Sequence, residues 1–190
     1  NIETEVLQGE GKAYGVEFLV RKNKGKLNGW IGYTYSRSFI KLDSEFNEER
    51  VNDGEFFPSN YDKPHDFSMV ANYKLTRRYS FSMNFVYQTG RPVTYPNGQY
   101  VYEGLSIASY SDRNSDRLPA YHRIDVSAIY TPGKPGRRWR GEWVFGIYNI
   151  YNRRNAAAIS FSQNRETGLN EATRIAIFGI VPSITYNFKF

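Results

Sequence analysis

Few residues in this chain are equipped for chemistry. His65 and His122 are its only histidines and stand far apart in sequence, cysteine is absent, and no Ser/His/Asp spacing or nucleophile elbow accompanies them. His65-Asp66 beside Asp62 has the donors for a metal ion, yet Asn60, Asp62 and Pro64 are also ordinary turn formers leading back into a strand, and the turn reading is preferred. His122, Arg123 and Asp125 alternate at a strand start, where an Arg/Asp pair links neighbouring strands more readily than it binds substrate. Gly11 to Gly15 and Gly90-Arg91-Pro92 are not phosphate cradles, because no helix start follows either. Catalytic residues, metal and cofactor are all expected to be absent, and the chain does not read as an enzyme.

Binding chemistry is better represented, in two long connections. Residues 41–64 carry the acidic set Asp43, Glu45, Glu48, Glu49, Asp53 and Glu55, followed by Phe56, Phe57 and Tyr61. Residues 91–120 carry Tyr95, Tyr100, Tyr102 and Tyr110 with Arg91, Arg113 and Arg117. Tyrosine offers a flat apolar ring and a polar tip at low entropic cost, which suits sugars, peptides and aromatic chelates. Binding residues also concentrate on loops held by a rigid scaffold. Ligand contact is therefore expected from Arg91, Tyr95, Tyr100, Tyr102, Tyr110, Arg113, Arg117, Phe56, Phe57 and Tyr61. The alternative is that these loops pack on each other or face solvent.

The elements that position these loops have a period of two. Tyr79, Phe81, Met83, Phe85 and Tyr87 alternate with Ser80, Ser82, Asn84, Val86 and Gln88, and the preceding segment repeats the pattern with Phe67, Met69, Ala71, Tyr73 and Leu75, so the pair is a hairpin about Arg77-Arg78. The same rule gives seven strands, near 12–22, 27–40, 65–76, 79–90, 121–131, 139–161 and 172–190, and no helix. Pro132-Gly133-Lys134-Pro135-Gly136 is a further turn. Connections alternate: short at 23–26, long at 41–64, short at 77–78, long at 91–120, short at 132–138, intermediate at 162–171.

Composition agrees with an unusual core. The 190 residues include 16 Tyr, 13 Phe and 3 Trp, while only 40% are hydrophobic. Disordered chains lack such aromatic content, and no apolar run approaches the roughly 18 to 20 residues of a spanning helix. The net charge is +6, but the basic residues are scattered and cluster only at turns, Lys22 to Lys26, Arg77-Arg78 and Arg137 to Arg140, which opposes nucleic-acid binding. Strands this long, with one aromatic face and one Ser/Thr/Asn/Gln face, match a transmembrane β-barrel with short periplasmic turns and long external loops. Tyr73, Tyr79, Tyr87, Tyr130 and Trp139 near strand ends match interfacial girdles. A soluble sandwich would instead hide its apolar face against a second sheet. Seven strands that start outside and end inside do not close an even-numbered barrel, so the expectation is one domain, 1–190, forming the C-terminal part of a larger barrel completed by sequence before Asn1.

Five stretches resemble the C-terminal barrel region of TonB-dependent outer-membrane receptors: Gly11-Lys12-Ala13-Tyr14-Gly15-Val16-Glu17, Asn60-Tyr61-Asp62-Lys63-Pro64-His65-Asp66, Tyr87-Gln88-Thr89-Gly90-Arg91-Pro92, Arg117-Leu118-Pro119-Ala120-Tyr121-His122-Arg123-Ile124-Asp125 and Tyr148-Asn149-Ile150-Tyr151-Asn152-Arg153-Arg154-Asn155. The ending, with Tyr186, Phe188 and Phe190, looks like the terminal strand read by the barrel-assembly machinery. The resemblance implies a bacterial outer-membrane barrel of about 22 strands with a plugged lumen, importing a scarce ligand such as a siderophore, cobalamin, glycan or peptide-like molecule. It implies as partners outer-membrane lipid, the remaining strands and plug, the assembly machinery, and TonB through the plug-bearing N-terminal region. A passive pore or structural barrel, or a soluble all-β binding module, is the alternative.

Overall fold

A computed structural model describes residues 8–132, 140–163 and 170–189, the side chains of 105, 106, 140, 163, 170 and 189 excepted. The described chain is all-β and antiparallel. Seven long strands form one meander, hydrogen-bonded in the order β1 (Glu10–Lys22), β2 (Leu27–Lys41), β4 (His65–Lys74), β5 (Tyr79–Gln88), β10 (Tyr121–Tyr130), β11 (Arg140–Tyr148) and β14 (Val181–Lys189). The remaining strands lie in the long connections: β3 (Phe57–Pro58) beside the end of β2, β6 (Pro92–Val93) with β9 (Asp116–Arg117), the hairpin β7 (Pro96–Tyr102) and β8 (Leu105–Tyr110), and the hairpin β12 (Ala158–Gln163) and β13 (Asn170–Ile175). Two 3₁₀ turns, Asn47–Glu49 and Asn52–Gly54, interrupt residues 41–64. Among the described residues β1 and β14 pair with one neighbour each, so the meander has two open edges.

Register joins the alternating rows of each strand into two continuous faces. Tyr33, Phe67, Tyr87 and His122 are consecutive partners across four strands, and Tyr79, Tyr130, Trp143 and Tyr186 form a second such row near the short turns. Between them lie Ile31, Met69, Phe85, Ile124 and their neighbours. The opposite face carries Asn28, Asn72 and Ser82, then Ser127, Gly146 and Ser183 in one row, with Gln88 donating to Asp66 across β4 and β5 at 2.6 Å. Rings on the apolar face touch across strands, as in Phe67–Phe85 at 5.7 Å and Trp143–Tyr186 at 4.6 Å.

Among the described residues no second layer covers this face. Phe18 is 60% exposed, Phe145 45% and Ile184 69%, and the only buried hydrophobic residues among those described are Phe57 and Leu118, both in the long connections. The expected all-β antiparallel class is what the structure shows.

The first five long strands fall within two residues of their expected ends, and the last two do not. The segment expected as one strand over 139–161 stops at Tyr148, and that expected over 172–190 divides into β13 and β14. Asn149 breaks the sheet: buried and left-handed at φ 55°, it donates from Nδ2 to the Arg153 carbonyl (2.8 Å), accepts the Arg153 N–H at Oδ1 (3.1 Å) and gives its own N–H to Asp125 (2.9 Å). Asparagine tolerates this backbone and supplies a side-chain substitute for ladder bonds. Trp139, the expected turn over 132–138 except Pro132, and most of the expected connection 162–171 lie outside the described residues.

Asn149→Ala should therefore lower the urea-unfolding free energy by about 1–3 kcal/mol, since it strands buried backbone groups and loses the left-handed tolerance, whereas Asn152→Gly, at an exposed site with φ 55°, should cost less.

Candidate functional site

The long connections gather at one end of the sheet, opposite the short turns. What fixes them there is one carboxylate. Asp62, fully buried, accepts the Ser38 N–H at 2.7 Å and the Arg37 Nε–H at 3.1 Å on Oδ1, and the Arg117 Nη2–H on Oδ2. Arg117 donates further to the carbonyls of Asp62 (2.6 Å) and Gly90 (3.2 Å). A single ion-paired cluster thus joins β2, the turn before β4, the end of β5 and β9. Burial pushes the Asp62 carboxyl up, but the Ser38 N–H and the two guanidinium groups outweigh it and hold it below the usual carboxylate range. At Gly90 a Cβ would lie 1.7 Å from the Leu118 carbonyl oxygen, so only glycine permits this approach.

Asparagines complete the join. Asn114, buried and at φ 59°, donates from Nδ2 to the Pro58 carbonyl (2.7 Å) and Asn60 Oδ1 (3.0 Å) and from its backbone N–H to Thr94 Oγ1 (3.0 Å). Asn52 and Arg113 exchange two bonds, 2.9 Å and 2.8 Å, across the two connections. Phe57 is buried between them.

Above this base lie two open cavities that meet at Tyr110, Pro96 and Phe161. The inner, about 330 Å³, is lined by Arg91, Tyr95, Asn60 and Asn114 among others, and the outer, about 510 Å³, runs along β7, β8 and β12. Tyr95 meets Phe161 edge to face at 5.2 Å, and burial, then the Asp116 charge, raises its hydroxyl pKa. The surfaces combine aromatic rings, aliphatic side chains and amides with the Arg91 guanidinium and, in the outer cavity, the Glu171 carboxylate, a combination that holds an amphipathic ligand by stacking and hydrogen bonds.

The expected contact residues divide accordingly. Arg91, Tyr95 and Tyr110 line the cavities. Tyr100 and Tyr102 stand exposed on β7, and Tyr61 is 87% exposed. Phe57 and Arg117 have packing roles, Arg113 lies 5.9 Å over the Phe57 ring, and Phe56 receives the Lys12 ammonium at 3.7 Å. Asn60, Asn114 and Phe161 were not anticipated. Asn114 alone carries a cue in the sequence, an asparagine inside a loop, which suits the left-handed turn it makes but does not tell what that turn surrounds. Tyr186 and Phe188 sit on the apolar face of β14, while Phe190 lies outside the described residues.

The histidines are held separately. His65 Nδ1 is 2.9 Å from the Tyr33 hydroxyl, and His122 Nδ1 2.8 Å from that of Tyr151. Asp66 is engaged by Gln88, and Asp62 by its arginines, so the potential metal donors near His65 do not converge. Among the described residues no three His, Asp or Glu side chains group together. Arg123 pairs with Asp125 within β10 (3.0 Å) and donates to the Tyr148 hydroxyl on β11 (2.6 Å), so the link between these strands runs through the tyrosine and not through the Arg/Asp pair itself. No family model, curated protein or solved structure matches the chain.

Asp62→Asn preserves shape but leaves two arginines without their counter-charge. It should destabilise the joined loops by about 2–4 kcal/mol, read as faster proteolysis within 41–64 and 91–120. Because the native carboxyl titrates below its unfolded value of about 3.9, its contribution is complete above that pH and disappears as pH falls through the lower native value. Wild-type loops should accordingly resist protease down to about pH 4 and loosen below it, while those of Asp62→Asn should lack this acid step.

Proposed function

We propose that this chain is lipid-facing wall and part of the external ligand vestibule in the C-terminal barrel region of a TonB-dependent outer-membrane receptor. The observation that carries the membrane reading is the uncovered apolar face, continuous across seven strands. In water such a surface would far exceed the few hundred Å² that soluble monomers leave exposed; in a bilayer it is the expected outer surface of a barrel. Strand length supports it. Tyr87 and Tyr79, in the two aromatic rows, stand eight residues apart on β5, which suits the 9 to 11 residues of a tilted membrane strand. The unpaired edges of β1 and β14 call for further strands, since open edges are not tolerated in hydrocarbon.

The receptor assignment draws on four of the five motif stretches, which meet in pairs. Asn60 to Asp66, Tyr87 to Pro92 and Arg117 to Asp125 join at Arg117, and Arg117 to Asp125 also joins Tyr148 to Asn155 through Asp125–Asn149 and His122–Asn155. These residues build the rim on which the cavities stand. In the receptor, the rim would fix the vestibule while the plug and TonB, acting from outside this segment, drive import.

A paired substitution tests the orientation of the wall. In the full-length chain folded into bilayers, Met83→Arg on the apolar face should cost about 2–4 kcal/mol, and Asn84→Arg on the opposite face far less. Equal costs, or a chain that stays in solution without detergent, would defeat the membrane reading in favour of a soluble module. If the wall stands, a plug domain encoded upstream would favour the importer and its absence a passive pore.

A further inference from the structure

On the membrane reading above, the apolar face is not uniform near the short turns. A furrow of about 590 Å³ crosses β4, β5, β10, β11 and β14, where Ala71 and Ala128 leave low ground among Met83, Phe145, Ile147 and Ile184. One register row nearer the turns stands the stacked pair Tyr79–Tyr130, with ring centroids 4.9 Å apart, at the level where amphipathic rings mark the headgroup boundary. Beyond it the turn carries Arg77 and Arg78. Thr76 folds this turn, accepting the N–H groups of Arg78 and Tyr79 at 3.1 Å and 3.0 Å, and Thr131 ties it to β10 by donating its N–H to the Arg78 carbonyl at 2.9 Å.

Two basic turns are brought side by side here, because the Lys74 N–H donates to the Lys26 carbonyl at 2.8 Å. Lys26, Lys74, Arg77 and Arg78 are all exposed, and among the described residues none enters an ion pair. No acidic residue occurs in 18–32 or 70–83, whereas residues 43–55 at the other end of the sheet hold six. Phe81, which borders the furrow, follows Arg78 by three residues, about 10 Å along a strand. That is the separation between a lipid phosphate and the upper part of its acyl chain.

We propose that this corner is a binding site for one anionic phospholipid of the periplasmic leaflet. Its phosphate is held by the Arg77-Arg78 turn with Lys26 and Lys74, its glycerol region lies beside Tyr79 and Tyr130, and an acyl chain rests in the furrow over Ala71 and Ala128. Charge complementarity selects the headgroup: a zwitterionic lipid offers the same chains but no net charge to four unpaired cations. Flexible Met83 adapts to the chain, and the alanines set its depth.

The site is tested on the full-length barrel in mild detergent by native mass spectrometry, titrating phosphatidylglycerol against phosphatidylcholine with identical acyl chains. Wild type should retain phosphatidylglycerol preferentially, and the preference should shrink as salt rises. Arg77→Gln with Arg78→Gln should weaken phosphatidylglycerol binding about 25-fold, near fivefold for each charge, and leave phosphatidylcholine unchanged. Ala128→Phe should weaken both lipids by filling the furrow. Equal retention of the two lipids by wild type at low salt, or an undiminished preference in the double variant, overturns the headgroup site, and undiminished binding by Ala128→Phe overturns the acyl seat. A barrel that folds with a heat-dependent gel shift yet shows no preference loses only the lipid site; a chain that enters neither micelles nor bilayers loses the barrel as well.

Discussion

An apolar surface has to be covered, and the described residues of this chain supply nothing that covers this one. Every long strand puts aromatic and aliphatic residues on the same side, the register keeps them together, and among the described residues no helix or second sheet lies over them. The hydrophobic driving force that packs a soluble domain is therefore not spent inside the chain. On the barrel reading it is supplied by contact with acyl chains, and the sheet's own stability comes from backbone ladders and cross-strand pairs of rings. The small buried core, Phe57 and Leu118, belongs to the loops.

The loops, which stand off the apolar face, are held by polar chemistry. Asp62 illustrates the trade: desolvating a carboxylate is costly, and it is offset by two guanidinium groups and a backbone N–H placed around it. Asn114 and Asn149 do the same with neutral groups, each bonding through its side-chain amide to backbone that would otherwise be unpaired. The result is a rigid rim made of residues far apart in the sequence, carrying aromatic side chains that face outward into open cavities.

The wall was legible in the sequence because a period of two is a local property: Tyr79 to Gln88 reads as a strand from its own ten residues, and its partner from the ten before the Arg77-Arg78 turn. The failures came where a tertiary interaction overrides the pattern. Tyr148 through Phe161 keeps enough hydrophobic residues to extend a strand, and only the capture of Asn149 by Asp125 and Arg153 shows that the chain leaves the sheet. Likewise Arg117 and Arg91 look alike on paper, an arginine in a long tyrosine-bearing loop. Which one is consumed by a buried carboxylate 55 residues earlier, and which faces a cavity, depends on Asp62 meeting Arg117 in space.

The hairpin β7–β8 pairs only with itself, and its strands share no ladder with the meander. Its tip bears Tyr100 and Tyr102 in the open. Since nothing in the register of the long strands depends on it, its sequence is free to diversify, lengthen or be exchanged without disturbing how those strands are threaded, which makes it the part of the molecule where change carries little structural risk.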